Sequence, residues 1–289
     1  MQVEVKKSVE WLLDNRLCTA PDKSKILVPG ISRLKQMRIR SELSINIEGQ
    51  IITESQSEKV LGIVLNNEMS FRNHLYGNDE NEGLICQLTK RAGIIQKLSR
   101  QVNPEKLKCF IDGIFYAKLN YCLPLYGNVF GLETYMDSST KYRSYTKRDN
   151  NKLQVLQNKV NRILTKSSVR ASTVSLLDKT DSLSIQQMIA LQTIIMTYKI
   201  LKTSKPVYIA NKIRSAEHKL NLRSSYGLLQ KPSLKLNQSR EGFIYRAITL
   251  YNKLDDEVKL CHNLNHFKNE ARKWIKRNIP VKPQDDPGY

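Results

Sequence analysis

No apolar run in this 289-residue sequence approaches the roughly 20 residues that a membrane-spanning helix needs. The opening MQVEVKKSVEWLLDN does not read as a secretory leader, because charges interrupt each apolar stretch. Five cysteines are present (Cys18, Cys86, Cys109, Cys122, Cys261). They are odd in number and widely scattered, so neither a disulfide framework nor a zinc ribbon is indicated, and a reducing compartment fits. The expected location is intracellular, in nucleus or cytoplasm. The GxSxG, P-loop and GxGxxG patterns are missing as well. The internal carboxylate pair Asp255-Asp256 reads as a helix cap or solvated turn, since a two-metal site draws its carboxylates from separate elements. His262 and His266 stand four residues apart beside Cys261, but no third ligand falls at a recognisable spacing. No metal site and no small-molecule substrate are expected from these residues.

Acidic residues are also scarce: 27 against 47 lysines and arginines, a formal charge of +20. The shortage is uneven. Residues 1–89 hold 11 basic and 12 acidic residues, 90–170 hold 16 and 5, and 171–289 hold 20 and 10. All the excess positive charge lies downstream of residue 89. That asymmetry points to a polyanionic partner for the later segments, or else to a generally basic surface with no specific partner. With 40% hydrophobic residues the chain has material for a packed core.

The hydrophobic period changes along the chain. Residues 2–16 predict a short amphipathic helix with Val5, Val9, Leu12 and Leu13 on one side. Strands are expected at 23–30, at 43–52 in two pieces bent at Gly49, and at 58–65 (EKVLGIVL), where Gly62 interrupts the run. A glycine inside a strand marks a bulge or a close approach by another backbone or ligand. Residues 76–83 read as a polar loop. Beyond it the period is helical: 84–102 with Leu84, Leu88, Ala92, Ile95, Leu98 and Val102 inward; a helix capped by Asn103-Pro104; 151–166 with Leu153, Leu156, Val160, Ile163 and Leu164 inward; an apolar helix at 183–201; and a helical region from 242 to 277 broken near Asp255. Residues 134–151 read as an exposed loop, 203–240 as loop-rich, and the tail after 279 as frayed. The expected class is α+β.

Two of these helices carry rows of cations: Lys90, Lys97 and Arg100 on the first, Lys152, Lys159, Arg162 and Lys166 on the second. Arg91 falls at the apolar edge and is expected to snorkel or pair. Such rows match the recurrence of phosphates along a nucleic acid; they are equally the pattern of a solvated helix face. Between them, Tyr142 and Tyr145 interleave with Lys141, Arg143, Lys147 and Arg148, either a stacking surface for unpaired bases or a linker.

The order of segments resembles the part of a non-LTR (LINE-type) retrotransposon reverse transcriptase that follows its catalytic aspartates. WLLDNRL…DKSK (11–25) is similar to the segment ending the polymerase palm, EKVLGIVLNNEMSFRNHL to the "KYLGV-x-LD…F-x-x-H" segment, and QLTKRAGIIQKLSR to the basic helix opening the thumb. LNYCLPLYG resembles "P-H-L-x-Y…W-G", departing from it at Leu123-Pro124 and Tyr126. KLQVLQNKVNRIL, LSIQQMIALQTIIMTYKIL…PVYI and FIYRAITLYNKL are similar to downstream segments in the same order, so the resemblance covers about 5–275. It implies a small strand/helix palm remnant over 1–75, a basic helical thumb over 84–170 and a helical C-terminal extension over 171–289. It implies RNA or an RNA–DNA hybrid as partner, with no membrane role, and places Leu61-Gly62 at the primer grip, where backbone meets the primer end. Ala20 stands where the family favours Asn. Lys23 aligns with the lysine proposed to protonate departing pyrophosphate, a vestigial candidate here. The family's Tyr/Phe-x-Asp-Asp, which holds two Mg2+ ions, does not occur in this sequence; the resemblance therefore implies a fragment inactive as an RNA-directed DNA polymerase, holding no cofactor itself. The alternatives are a helical protein-interaction module and a non-functional remnant of a decayed element.

Overall fold

Gly49 and Gly62, both bends in the apolar pattern, turn out to be hairpin turns. In a computed structural model, which describes residues 2–28, 44–67, 71–127, 147–213, 228–233 and 242–281, β1 (Ile45–Ile47) pairs antiparallel with β2 (Gln50–Ile52) and β3 (Ser57–Val60) with β4 (Ile63–Asn66). Each hairpin closes through two residues at positive φ: Glu48 and Gly49 at 51° and 88°, Leu61 and Gly62 at 48° and 84°. Turns of this hand match the twist of the flanking strands and favour glycine, which has no Cβ to clash there. The single strand expected over 58–65 is therefore corrected to two strands, and the glycine is explained by its φ. The expected strand at 23–30 is also corrected. Pro21–Lys23 is a 3-10 turn, and only Ile26 bridges to Glu54; Pro29 and Gly30 lie outside the described residues.

The chain divides into two compact units, residues 1–87 and 88–289. In the first, α1 (Gln2–Asp14) packs on β1 and α2 (Arg72–Tyr76) on β4. Ile45, Ile52, Ile63, Val64, Phe71 and Leu75 form its core. Leu13, expected inward, is 55% exposed. The backbone N–H of Val64 donates to Nδ1 of buried His74 at 3.5 Å, tying β4 to α2. The 76–83 segment is a closed turn: Gly77 bridges Glu82, and Asn78 Nδ2 donates to Ser57 Oγ at 3.1 Å.

The second unit is helical. Helix α3 (Leu84–Leu98) runs into it, with Leu88, Ala92 and Ile95 fully buried. A rod follows, made of α4 (Pro104–Phe110), a π-helical stretch (Ile111–Tyr116) and α5 (Ala117–Asn120). Asn103 caps it by accepting from Lys106 N at 3.0 Å, and Arg91 pairs with the Ile114 carbonyl inside the π stretch. Then come α6 (Leu123–Tyr126), α7 (Lys147–Thr165), α8 (Thr173–Thr180), α9 (Ile185–Thr203), α10 (Val207–Ala210), α11 (Phe243–Asn252), α12 (Asp256–Lys259) and α13 (Leu264–Asn278). The first five residues of α7 fall in the expected 134–151 loop; the rest of that loop up to 146 lies outside the described residues.

Helix α9 is the hub, packed by α6, α7, α10, α11 and α13. Its sequence is apolar on most sides, as a surrounded helix must be. Its buried Thr193 and Thr197 hydroxyls satisfy themselves on the carbonyls of Ile189 and Thr193, each at 2.8 Å. A capping box between Ser184 and Gln187 closes its start. Arg246 of α11 donates to the carbonyls of Gly127 (2.6 Å) and Pro124 (3.1 Å), covering the end of α6. Tyr198 stacks on Phe267, centroids 4.0 Å apart, and shares its hydroxyl between the carbonyls of Cys261 and His262 at 2.8 and 2.9 Å. Over the described residues the architecture is α+β, mostly helical with two small sheets.

Candidate nucleic-acid interface

The helix that carries the longer cation row presents two different sides. Leu153, Leu156 and Val160 of α7 are buried, while Lys152, Lys159 and Lys166 are exposed. Lys152 and Lys159 stand seven residues apart on the helix, about 10 Å, or about three phosphate steps of one duplex strand; Lys166 follows the last helical residue, Thr165, with its backbone in the left-handed conformation (φ 50°). Arg162 stands apart from them. It is half-buried and donates from Nη2 to the Ala171 carbonyl at 3.2 Å, so part of its guanidinium fastens α7 to the start of α8. On α3, Lys90 and Lys97 are exposed at the same seven-residue spacing, and Arg100 is exposed in the turn just past the helix end. Helix α7 packs against α4, α8 and α9, and α3 is not among its main partners. The two rows thus belong to separate helices, not to the flanks of one packed pair.

No family model, no curated protein and no solved structure matches the chain.

The remaining candidates fall in varied places. Leu61 is 86% exposed at the tip of the β3–β4 hairpin, with Gly62 beside it. Lys23 is exposed in the Pro21–Lys23 turn. Tyr142, Tyr145, Lys141 and Arg143 lie outside the described residues, and Lys147 and Arg148 are known only as the start of α7. Asp255 occupies the N-cap position of α12, and exposed Asp256 pairs with Lys259 at 3.3 Å. His262 is exposed, His266 lies 4.0 Å from Glu270, and burial raises the pKa of the Cys261 thiol. Among the described residues no three potential metal ligands meet, and no helix is long and apolar enough to cross a membrane.

The leucine pattern of α7 did not reveal a second buried stripe, Gln154, Gln157, Asn158 and Asn161. Gln157 Nε2 donates to the Leu183 carbonyl at 2.7 Å and to the Tyr116 hydroxyl at 3.2 Å. Gln154 Oε1 accepts from the first N–H of α9, at Ile185, 3.0 Å away. Asn158 Nδ2 donates to Thr173 Oγ1 at 2.8 Å, and Asn161 Oδ1 accepts from Tyr116 at 3.2 Å. Their spacing of 0, 3, 4 and 7 is the core period of a helix, which was the available signal; polarity masked it.

This network backs a cleft of about 430 Å³. One wall is the 104–120 rod, through Lys108, Asp112, Tyr116 and Asn120; α9 forms the other, and the corner between α8 and α9 closes the base. Burial raises the Tyr116 pKa, against the lowering effect of its hydrogen bonds from Gln157 and Ser182. At the rim Asp181, in the left-handed conformation (φ 49°), binds Lys276 and Arg272 of α13. The Lys276 hydrogen bond, aided by Arg272, holds its carboxyl below the ordinary range.

Proposed function

We propose that residues 88–289 grip a nucleic acid backbone, the job of template and primer holding that the resemblance to a LINE-type reverse transcriptase implies. The observation that carries this reading is the exposed Lys152, Lys159 and Lys166 row at seven-residue spacing, within the part of the chain that holds all the excess positive charge. Opposite Lys152 and Lys159, the same helix is locked by buried leucines and amides, so these two lysines sit on a rigid support. RNA or an RNA–DNA hybrid is the proposed partner. The Leu61-Gly62 tip is the proposed point of approach to a primer end. No polymerase step is assigned, because the sequence contains no Tyr/Phe-x-Asp-Asp.

Replacing Lys152, Lys159 and Lys166 together by alanine should weaken binding of an RNA–DNA hybrid. It should also lower the slope of log affinity against log salt by about 2 to 3, since each lost phosphate contact removes about 0.7–0.9. Neutralising Lys90, Lys97 and Arg100 should act alike. Wild-type binding indifferent to salt contradicts the proposal. A second reading, protein docking by residues 1–87, is favoured by exposed Trp11, Leu13, Ile51 and Leu61; it predicts no appreciable hybrid binding in the same titration.

A further inference from the structure

We infer that the cleft between the 104–120 rod and α9 receives one unpaired base of a single-stranded nucleic acid, an inference that rests on the backbone-gripping function proposed above. Its volume, about 430 Å³, lies within the ~300–1,000 Å³ of small-ligand sites. Leu183, Met188 and Leu191 supply apolar contact for the flat face of a base. Tyr116 supplies an aromatic ring whose position is already set: its hydroxyl is tied to Asn161 and Gln157, each at 3.2 Å, and it stands perpendicular to the Phe115 ring with centroids 5.5 Å apart. A ring held before binding loses little entropy on contact.

The polar groups suit a base edge. Asn120 and Gln192 bring amides to the cleft, and an amide presents donor and acceptor side by side, as a base edge does. The Asn120 amide oxygen is buried and has no donor among the described residues. A turn of that amide on binding lets a base N–H satisfy it. Lys108 stands at the lining for the attached phosphate, while Arg272 and Lys276 pair with the Asp181 carboxylate at the rim. A further cation, Lys179, stands next to the cleft in sequence. Lys179 Nζ reaches Ser167 Oγ at 3.5 Å, next to Lys166, from the last turn of α8, which continues into the cleft residues Thr180 and Asp181.

The test uses the full chain and short single-stranded oligonucleotides, RNA and DNA, each with intact bases or abasic throughout. At fixed salt, intact strands should bind about tenfold tighter than abasic ones, the scale of one base–aromatic stack. Leu191→Trp, which fills the cleft, and Gln192→Ala should reduce that ratio toward one while leaving the salt slope unchanged. In the wild-type protein, a strand carrying 5-iodouracil should crosslink on irradiation to Tyr116, mapped by mass spectrometry; this arm does not depend on a variant folding. Equal binding of intact and abasic strands, a ratio unchanged in folded Leu191→Trp, or crosslinks only elsewhere would overturn the inference. Salt-dependent binding that ignores bases sinks the cleft alone, and no binding at all sinks the backbone-gripping function too. Preference for RNA over DNA, or its absence, tells which kind of strand supplies the base.

Discussion

Gln157→Leu is the sharpest probe of what holds the helical unit together. The two side chains are close in volume, so the change removes hydrogen bonds without opening a large cavity. Gln157 is fully buried, and its Nε2 lies 2.7 Å from the Leu183 carbonyl. In the variant that carbonyl loses its donor at the corner where α8 passes into α9. Gln154 Nε2 loses its 2.8 Å acceptor and keeps only Asn158 at 3.0 Å. Tyr116 keeps its bond to Asn161. One buried group orphaned and one half-satisfied, at about 1–3 kcal/mol per lost partner, give a loss of about 2–4 kcal/mol. Urea unfolding followed by far-UV circular dichroism measures it directly. Gln96→Leu, at an exposed position on α3, should stay within about 0.5 kcal/mol of wild type. A Gln157→Leu protein as stable as wild type would refute the network as a structural element and leave the hydrophobic stripe to explain α7 alone.

Asp181→Asn should lower stability at neutral pH by under about 1 kcal/mol, because the ion pairs with Arg272 and Lys276 are exposed to solvent. The sign with pH follows from the lowered carboxyl pKa. Its contribution is complete above the ordinary value near 3.8 and disappears as pH falls through the lower folded value, so wild type and variant should converge in acid. A difference that persists unchanged in acid unfolding would remove Asp181 from the account. Gly83→Ala should disrupt the first unit, since the added Cβ would meet the Tyr76 carbonyl carbon at 2.2 Å and Gly77 N at 2.4 Å, both backbone. Amide exchange across residues 63–78 should rise sharply, and wild-type protection there would count against that packing.

Much of the helical unit was legible because its signals are local. Asn103-Pro104 announces the start of the 104–120 rod, and the cap is made by that asparagine. The apolar 183–201 stretch is the hub helix, and the break near Asp255 separates α11 from α12 and α13. The hairpins were harder. VLGIVL (60–65) carries no charge, so periodicity alone could not distinguish one strand from two short ones; the positive φ values of Leu61 and Gly62 are the deciding feature. Arg91 was legible as a misfit that must snorkel or pair; the structure shows pairing, and the partner, the Ile114 carbonyl, lies in a π-helical stretch that no spacing rule anticipates.

The amino-acid order by itself determined the placement of charge, the absence of a Tyr/Phe-x-Asp-Asp motif and which segments coil as amphipathic helices, because each depends on residues close along the chain. Only the tertiary structure decided that Arg162 binds a carbonyl, that the glutamines and asparagines of α7 are buried, and that Tyr116, Asn120, Gln192 and Arg272 share one cleft. Those facts depend on groups brought together from distant parts of the chain, and a polar side chain looks the same in sequence whether water or a buried carbonyl is its partner.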